Sequence, residues 1–308
     1  MKKLYVGVDI GGSSVKLGFF DEKKMLLKKT SIETLKFKKN NEKNLIKYIL
    51  DFVIEFVNEN IKNYSAKDIC GIGFAVPGPV VKNQVIHAVN IGWEHKYDIV
   101  KAVKDRIGKN VNVYVGNDAN VAAMAEYDKT LKKKYKSICL LTLGTGIGGG
   151  IIIDGELIEG RTGICGEMSH LKVDNEKDAI KCRCGNTGCL ETVASGLGIA
   201  RTYNRMYKTD IAKGAKDVIM LAKKGDKKAI KSLDKSLSYL SQIIIILMHV
   251  YEPEVILIGG GVSNAGTFIT DIISKHIKEG VYMTKVLPKV MLAKLKNDAG
   301  IYGAIIKL

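Results

Sequence analysis

Long apolar runs and arginine are both scarce in this chain of 308 residues. The longest apolar run, residues 243–248, is far too short to cross a lipid bilayer. The chain opens with alternating residues that include Asp9, a pattern typical of a β-strand and unlike the apolar core of a secretory signal. We therefore expect a cytoplasmic protein that does not enter a membrane.

Only five arginines occur among the 48 basic residues, so the net charge of +16 comes almost entirely from lysine. Sequence readout in nucleic acids relies on arginine, and no segment here concentrates arginine or interleaves it with aromatic residues. The lysines are spread along amphipathic segments and in one run, residues 132–134. We interpret the charge as a solvated surface that also attracts polyanionic small molecules, and we expect no nucleic-acid partner.

Long linkers and low-complexity segments are also absent, although the chain exceeds the usual size of one domain. Two lobes joined by short hinges are therefore expected. A strand–glycine–strand pattern at residues 5–20 recurs at residues 138–153, which suggests a duplicated α/β architecture. The wholly apolar segment 255–258 predicts a strand in the middle of a sheet that is covered on both faces.

Three of the six cysteines fall within eight residues and follow a histidine: His170, Cys182, Cys184 and Cys189. Three thiols and one imidazole are the ligands of a closed tetrahedral zinc site, and the intervening glycines let the backbone turn tightly. A disulfide or unrelated free thiols are the alternatives. The tight spacing and the cytosolic character of the chain favour zinc.

Two carboxylates flank this cluster. Glu167 precedes His170 by one helical turn, and Glu191 follows the last cysteine by two positions. A metal that fixes two acidic side chains suits the floor of a pocket for a polar substrate. Together with Asn117, these residues offer hydrogen-bonding groups to a polyhydroxylated ligand, or else they only support the zinc ligands.

Three glycine-rich turns, at residues 9–14, 144–146 and 259–261, each follow a predicted strand. Glycine lets backbone N–H groups approach phosphate oxygens, and none of the turns matches the P-loop or the dinucleotide fingerprint. Asp9 could hold Mg²⁺ through water, and Lys16 could offset phosphate charge. Glycine hairpins are common, but three of them with an aspartate predict a phosphate site formed by Asp9, Gly11, Gly12, Ser13, Lys16, Gly144, Thr145, Gly146, Gly260 and Gly261.

Asn117 and Asp118 lie at a predicted strand-to-helix junction, where ligand sites of α/β folds gather. Asp118 is a candidate general base that accepts the proton of a substrate hydroxyl while that oxygen attacks phosphorus. Aspartate is also a good helix N-cap, so a purely structural role is the alternative.

Short motifs are distributed along almost the whole chain, at residues 9–12, 77–79, 90–93, 116–120, 143–150, 166–170, 182–191, 258–261 and 298–300. In this combination and order they resemble the ROK family (repressors, uncharacterised proteins and sugar kinases) of the actin-like ATPase superfamily. The resemblance implies a two-lobed actin-like ATPase (ribonuclease H-like) fold with a duplicated mixed-sheet core. We expect a smaller lobe at residues 1–117, onto which 298–308 packs back, and a larger lobe at 118–297 with the zinc site.

The resemblance also implies an ATP-dependent hexokinase-type reaction with Asp118 as the base. It implies a sugar held by Asn90, Asn117, Asp118, Glu167, His170 and Glu191, and a structural zinc held by His170, Cys182, Cys184 and Cys189. One nitrogen of His170 would face the metal and the other the pocket. Ser13 and Ser14 stand where Thr-Lys or Thr-Asn is usual, and Ser169 replaces a common glycine; none of these changes removes a catalytic group.

We expect the partners to be a hexose and MgATP, in a homodimer or homotetramer. Glucose phosphorylated at O6 is the leading substrate, and other hexoses such as N-acetylmannosamine or fructose are alternatives. A sugar-responsive repressor and a non-catalytic sugar-sensing regulator are the alternatives from another class. We expect no DNA-binding segment ahead of Asp9, and a non-catalytic sensor would have little reason to keep Asp9 and Asp118 together. We also expect a side chain at Gly146 to impair ATP binding and to change sugar affinity much less.

Overall fold

The computed structural model describes residues 2–34, 42–86, 88, 91, 93 and 97–308. Packing divides the chain into two compact units. The first unit comprises Met1–Lys129, Glu159–Ile164 and Asn297–Leu308, and the second comprises Thr130–Ile158 and Cys165–Lys296. Of the helices in the described residues, none has the length and apolar character that a bilayer crossing requires.

Both units contain strands and helices. The strands are β1 (Leu4–Ile10), β2 (Ser14–Phe20), β3 (Leu26–Glu33), β4 (Ile69–Val76), β5 (Val80–Val81), β6 (Gln84–Val85), β7 (Asn112–Asn117), β8 (Ile138–Leu143), β9 (Ile147–Ile153), β10 (Glu156–Leu157), β11 (Val255–Gly259) and β12 (Lys289–Leu292). The helices are α1 (Glu42–Asn60), α2 (Ile99–Arg106), α3 (Asp118–Ala125), α4 (Leu190–Ala194), α5 (Gly196–Tyr207), α6 (Ala215–Lys223), α7 (Lys227–Tyr251), α8 (Thr267–Gly280) and α9 (Ala299–Ala304).

The first unit is built on a mixed sheet with the strand order β3-β2-β1-β4-β7. Strand β1 pairs antiparallel with β2 and parallel with β4, and β4 pairs parallel with β7. One face is covered by α1, whose buried residues recur at helical spacing and whose Phe56 stacks on Phe19 with ring centroids 4.8 Å apart. The sheet therefore has a dry core on the α1 side.

The second unit repeats this plan with the order β10-β9-β8-β11-β12. Strand β8 pairs antiparallel with β9 and parallel with β11, which pairs parallel with β12. Every residue of β11 is buried between its two neighbours, as predicted for the apolar segment 255–258. The matching strand orders confirm the expected duplication of an α/β core, because the same hairpin-then-parallel arrangement occurs in each unit.

Helix α9 lies against the face of the first sheet opposite α1. Gly7 lies between buried Val6 and Val8 on β1, so its Cα faces the other way. A Cβ built on Gly7 would overlap the carbonyl oxygen of Ile301, and one built on Gly73 would overlap that of Ala304. The helix therefore rests on the sheet by backbone contact at two glycines.

Helix α3 belongs by its packing to the first unit, because a Cβ on Gly303 of α9 would overlap the carbonyl oxygen of Val121. The sequence analysis placed the lobe boundary just before α3, between residues 117 and 118. As a division into two lobes, that boundary stays a prediction.

We expect Gly73→Ala to destabilise the protein by about 3 kcal/mol, since the added methyl group would force backbone atoms of α9 away from β4. Chemical denaturation should show a lower midpoint with an unchanged slope. Gly214→Ser is the control, because a Cβ at Gly214 meets nothing within 4 Å. Equal stability of the Gly73→Ala variant and the parent would contradict this account of the α9 contact.

Candidate active site

The turn between β1 and β2 carries the first group of predicted phosphate ligands. It is closed by a hydrogen bond from Gly11 N to Ser14 O at 2.9 Å, and Thr34 anchors it by donating its backbone N–H to Ser13 O at 3.0 Å. Gly12 and Ser13 are exposed at its tip. The turn is therefore a rigid hairpin end with two solvent-facing positions.

Asp9 is the penultimate residue of β1 and lies next to the start of α9. Its carboxylate accepts a hydrogen bond from Lys16 Nζ at 3.2 Å, and Lys16 also donates to Asn297 O at 3.2 Å. Burial raises the pKa of Asp9, and the neighbouring Lys16 ammonium opposes this rise. A Cβ on Gly300 would overlap the Asp9 carboxylate, so the glycine makes room for it. Lys16 is thus a counter-ion of Asp9 as well as a candidate phosphate ligand.

Asn117, and not Asp118, is the N-cap of α3. Its Oδ1 accepts hydrogen bonds from Ala119 N at 3.0 Å and Asn120 N at 3.1 Å, and its Nδ2 donates to Gly78 O at 3.1 Å. Asn117 therefore fills the capping role that was the alternative for Asp118, and the role of Asp118 as general base stays a prediction. One N–H of the Asn117 amide remains for a ligand.

Asp118 is exposed, whereas the seven residues that follow it in α3 are all buried. Its Oδ1 accepts a hydrogen bond from Ala119 N at 2.8 Å. In the sheet register, Asp9 is opposite Ala75 and Ala75 is opposite Gly116, so Asp9 lies one position before Asn117 at the same edge of the sheet. The first unit therefore presents its predicted magnesium and base carboxylates at the carboxyl ends of the parallel strands of its mixed sheet.

The four predicted metal ligands converge in the second unit. Their ligand atoms all lie within 4.8 Å of one another, with Cys182 Sγ 3.7 Å from His170 Nδ1 and Cys184 Sγ 3.6 Å from Cys189 Sγ. A disulfide needs sulfur atoms about 2.05 Å apart. Zinc–sulfur bonds of about 2.3 Å place neighbouring ligands of a tetrahedron about 3.7 Å apart. The residues therefore fit a tetrahedral zinc ion through Nδ1 of the histidine.

The thiols of this cluster differ in acidity. Burial and the neighbouring thiols raise the pKa of Cys189 to about 12, and burial raises the pKa of Cys182. A hydrogen bond from the Asn186 backbone lowers the pKa of Cys184. Three thiolates so close together require a bound cation, because their mutual repulsion and desolvation otherwise favour the protonated forms.

The metal cluster links the two candidate sugar carboxylates. His170 ends a short 3₁₀ segment, Met168–His170, directly after Glu167, and Cys189 is the N-cap of α4, which carries Glu191. Between them, Leu190 N donates to Leu171 O at 2.9 Å. A metal at this cluster would hold Glu167 and Glu191 on segments fixed relative to each other.

Glu191 also contacts the glycine turn between β8 and β9, which the sequence analysis missed. Its Oε2 accepts a hydrogen bond from Ile147 N at 3.3 Å, and a Cβ on Gly146 would overlap the same oxygen. This contact bears on the expectation that a side chain at Gly146 changes sugar affinity much less than ATP binding, because the added atom would displace Glu191, a predicted sugar ligand. No sequence signal marks this contact, since its partners are 44 positions apart.

The other predicted phosphate ligands of the second unit lie near this turn. Gly196, the first residue of α5, donates its N–H to Gly144 O at 2.7 Å, and Gly260 packs against the backbone of Leu143. Thr145 and Gly261 are exposed. The ends of β8 and β11 and the start of α5 thus meet at one place. Asn90 is the one predicted site residue that lies outside the described residues.

Comparison with known proteins identifies a family and several related kinases. The ROK family model matches residues 5–307. A glucokinase from Halalkalibacterium halodurans is 36% identical over 97% of this chain and 93% of its own length, and an N-acetyl-D-glucosamine kinase from Histophilus somni is 29% identical over 98% and 97%. The crystal structure of a ROK family glucokinase from Streptomyces griseus in complex with glucose and AMPPNP has a TM-score of 0.77 and 28% identity, covering 98% of this chain and 97% of that one.

We expect purified protein to contain one zinc ion per chain and Cys184→Ser to lose it, with a lower melting temperature. Elemental analysis and thermal unfolding measure the two effects. Cys165→Ser is the matched control, because this half-buried thiol lies outside the cluster and should leave the zinc content unchanged. Parent protein without zinc would contradict the assignment of the cluster.

Proposed function

This chain belongs to the ROK family and is an ATP-dependent sugar kinase, and we propose that it transfers the γ-phosphoryl group of MgATP to O6 of glucose. The observation that carries the chemistry is the exposed carboxylate of Asp118 at the start of the otherwise buried helix α3. The choice of glucose is supported by the relative at 36% identity, which is a glucokinase.

In the proposed reaction, Asp118 accepts the proton of the sugar hydroxyl. The freed oxygen forms a bond to the γ-phosphorus, the bond from that phosphorus to the β,γ-bridging oxygen breaks, and ADP leaves. Asp118 suits this role because it is an exposed carboxylate at the start of α3, where Asn117 is the N-cap. The base therefore sits on a helix whose buried residues hold it in place.

The resemblance assigns five of the described residues to the sugar. Asn117 and Asp118 belong to the first unit, and Glu167, His170 and Glu191 belong to the second unit. Zinc would be held by His170 Nδ1 and the three thiolates, with no position left for a substrate, so its role is structural. That ligation leaves Nε2 of His170 for a sugar hydroxyl.

The groups assigned to MgATP are the glycine turns, Asp9 and Lys16. Mg²⁺ would be held on Asp9 through water and would supply charge neutralisation at the phosphates. Lys16 pairs with Asp9 at 3.2 Å, so it keeps the buried carboxylate compensated when no cation is present. The exposed positions at Gly12 and Thr145 leave backbone N–H groups accessible to phosphate oxygens.

N-acetylglucosamine is the second candidate acceptor, because relatives at 28–29% identity over 98% of this chain are N-acetyl-D-glucosamine kinases. A coupled assay of ADP release with glucose, N-acetylglucosamine, N-acetylmannosamine, mannose and fructose tests the choice. We expect glucose to give the highest kcat/KM. A higher value for an N-acetylated sugar would replace glucose, and ADP release with none of them would contradict the kinase assignment.

We expect Asp118→Asn to lower kcat by about 10²- to 10⁴-fold, since the amide keeps the shape of the side chain but accepts no proton. Sugar affinity, measured by titration without nucleotide, should change little. Asp98→Asn is the matched control: Asp98 is also an exposed carboxylate at a helix start, where it caps α2. A kcat of Asp118→Asn within a few-fold of the parent would exclude the role of general base.

Substitutions at two glycines of one turn should affect nucleotide binding and sugar binding differently. A Cβ at Gly144 meets nothing within 4 Å, whereas a Cβ at Gly146 would overlap Glu191. We expect Gly144→Ala to raise the KM for ATP by about tenfold, a loss of about 1.4 kcal/mol, and to spare sugar affinity. Gly146→Ala should raise the KM values for both substrates. Unchanged sugar affinity in Gly146→Ala would contradict the assignment of Glu191 to the sugar.

A further inference from the structure

A buried ion pair lies next to the metal cluster and has no role in the proposed reaction. The carboxylate of Asp174 is fully buried, and its Oδ2 accepts a hydrogen bond from Arg205 Nη1 at 2.7 Å. Its Oδ1 accepts from Tyr239 of α7 at 3.3 Å and from Glu176 N at 3.2 Å. Burying a carboxylate is costly unless it is paired in this way, so its position is tightly constrained.

Asp174 also fixes the backbone that carries a metal ligand. The backbone N–H groups of Val173 and Asp174 both donate to Gly188 O, at 2.9 and 3.0 Å. Gly188 has a φ of +80°, and a Cβ there would overlap the carbonyl oxygen of Asp174. The two segments are therefore in backbone contact directly before Cys189.

Arg205 reaches this junction from α5. Arg205 donates a hydrogen bond to the Asp174 carboxylate and another to Asp178 O at 3.3 Å. It therefore contacts both ends of the turn at residues 174–178. The first residue of the same helix, Gly196, donates to Gly144 of the glycine turn. One helix thus contacts the metal-cluster loop near its end and the candidate phosphate turn at its start.

We propose that Arg205 is a positioning residue for the sugar site: through Asp174 and Gly188 it fixes Cys189, and thereby the start of α4 and the Glu191 carboxylate. This role rests on the proposed function, because Glu191 is assigned there to the sugar. It assigns Arg205 no contact with substrate or metal.

Three variants separate positioning from stability. Arg205→Met leaves Asp174 buried and unpaired, whereas Arg205→Met combined with Asp174→Leu replaces the pair by apolar groups and should melt above the single variant. Arg205→Lys keeps the charge and loses the planar guanidinium group. Its zinc release rate, sugar KM and melting temperature should therefore lie between those of the parent and of Arg205→Met. Arg201→Met is the matched control, since Arg201 lies one turn earlier on α5 and is exposed.

The measurements are the rate of zinc transfer to a chromophoric chelator, the KM values for sugar and ATP, kcat, and the melting temperature. In both variants that carry Arg205→Met we expect zinc release to be about tenfold faster and the sugar KM to be about tenfold higher, because groups that orient metal ligands typically change affinity by 10- to 100-fold. The KM for ATP and kcat should stay within about threefold of the parent values, and Arg201→Met should match the parent.

In the double variant, the sugar KM and the rate of zinc release could return to the parent values together with the melting temperature. That result would show that the pair only stabilises the fold, and would overturn the proposal. Zinc release within twofold of the parent in both variants would also overturn it. The zinc measurement needs no sugar, so a parent that phosphorylates no hexose contradicts the proposed function while the placement of Cys189 by Arg205 is still decided by zinc release. If the double variant fails to fold, the zinc release rate and sugar KM of Arg205→Lys decide instead. Values between those of the parent and of Arg205→Met support the proposal, and parent values overturn it.

Discussion

Direct contact between backbones, with no side chain in between, is the constraint on which both units depend. In the first unit, α9 reaches β4 because Gly73 has no side chain to hold it off the carbonyl oxygen of Ala304. In the second, the Gly196 N–H reaches Gly144 O at 2.7 Å. Elements that meet in this way are located by the main chain, so candidate site residues at their ends inherit fixed positions. The same closeness leaves no room for a methyl group at Gly73 or Gly196.

The parts of the fold that follow from local patterns could be predicted from the sequence. Alternation marks the hairpins, the wholly apolar β11 occupies the middle of its sheet, and the spacing of Cys182 to Cys189 indicates a metal cluster. Contacts between distant segments could not be predicted, because neither partner carries a sign of the other. The hydrogen bond from Ile147 to Glu191 and the ion pair of Asp174 with Arg205 are of this kind.

The proposed chemistry divides between groups that react and groups that hold. In the proposed reaction Asp118 is the group that accepts a proton, while Asn117 supplies the cap of the helix on which Asp118 stands. The cysteine cluster would contribute through the geometry of its neighbours, because four protein ligands leave a zinc ion no site for substrate. Discrimination among hexoses would then depend on side chains that hydrogen-bond the sugar hydroxyls. A wrong sugar leaves some of these side chains without a partner, which weakens its binding.

The hydrogen bond between Glu191 and Ile147 connects the proposed sugar site with the proposed phosphate turn, so the two binding equilibria would be coupled. If phosphate binding alters the turn that contains Ile147, it changes the energy with which Glu191 is held, and with it the affinity for sugar. Linkage then requires that bound sugar change the affinity for nucleotide by the same factor. A single carboxylate oxygen in contact with the turn would thus make the two substrates bind cooperatively.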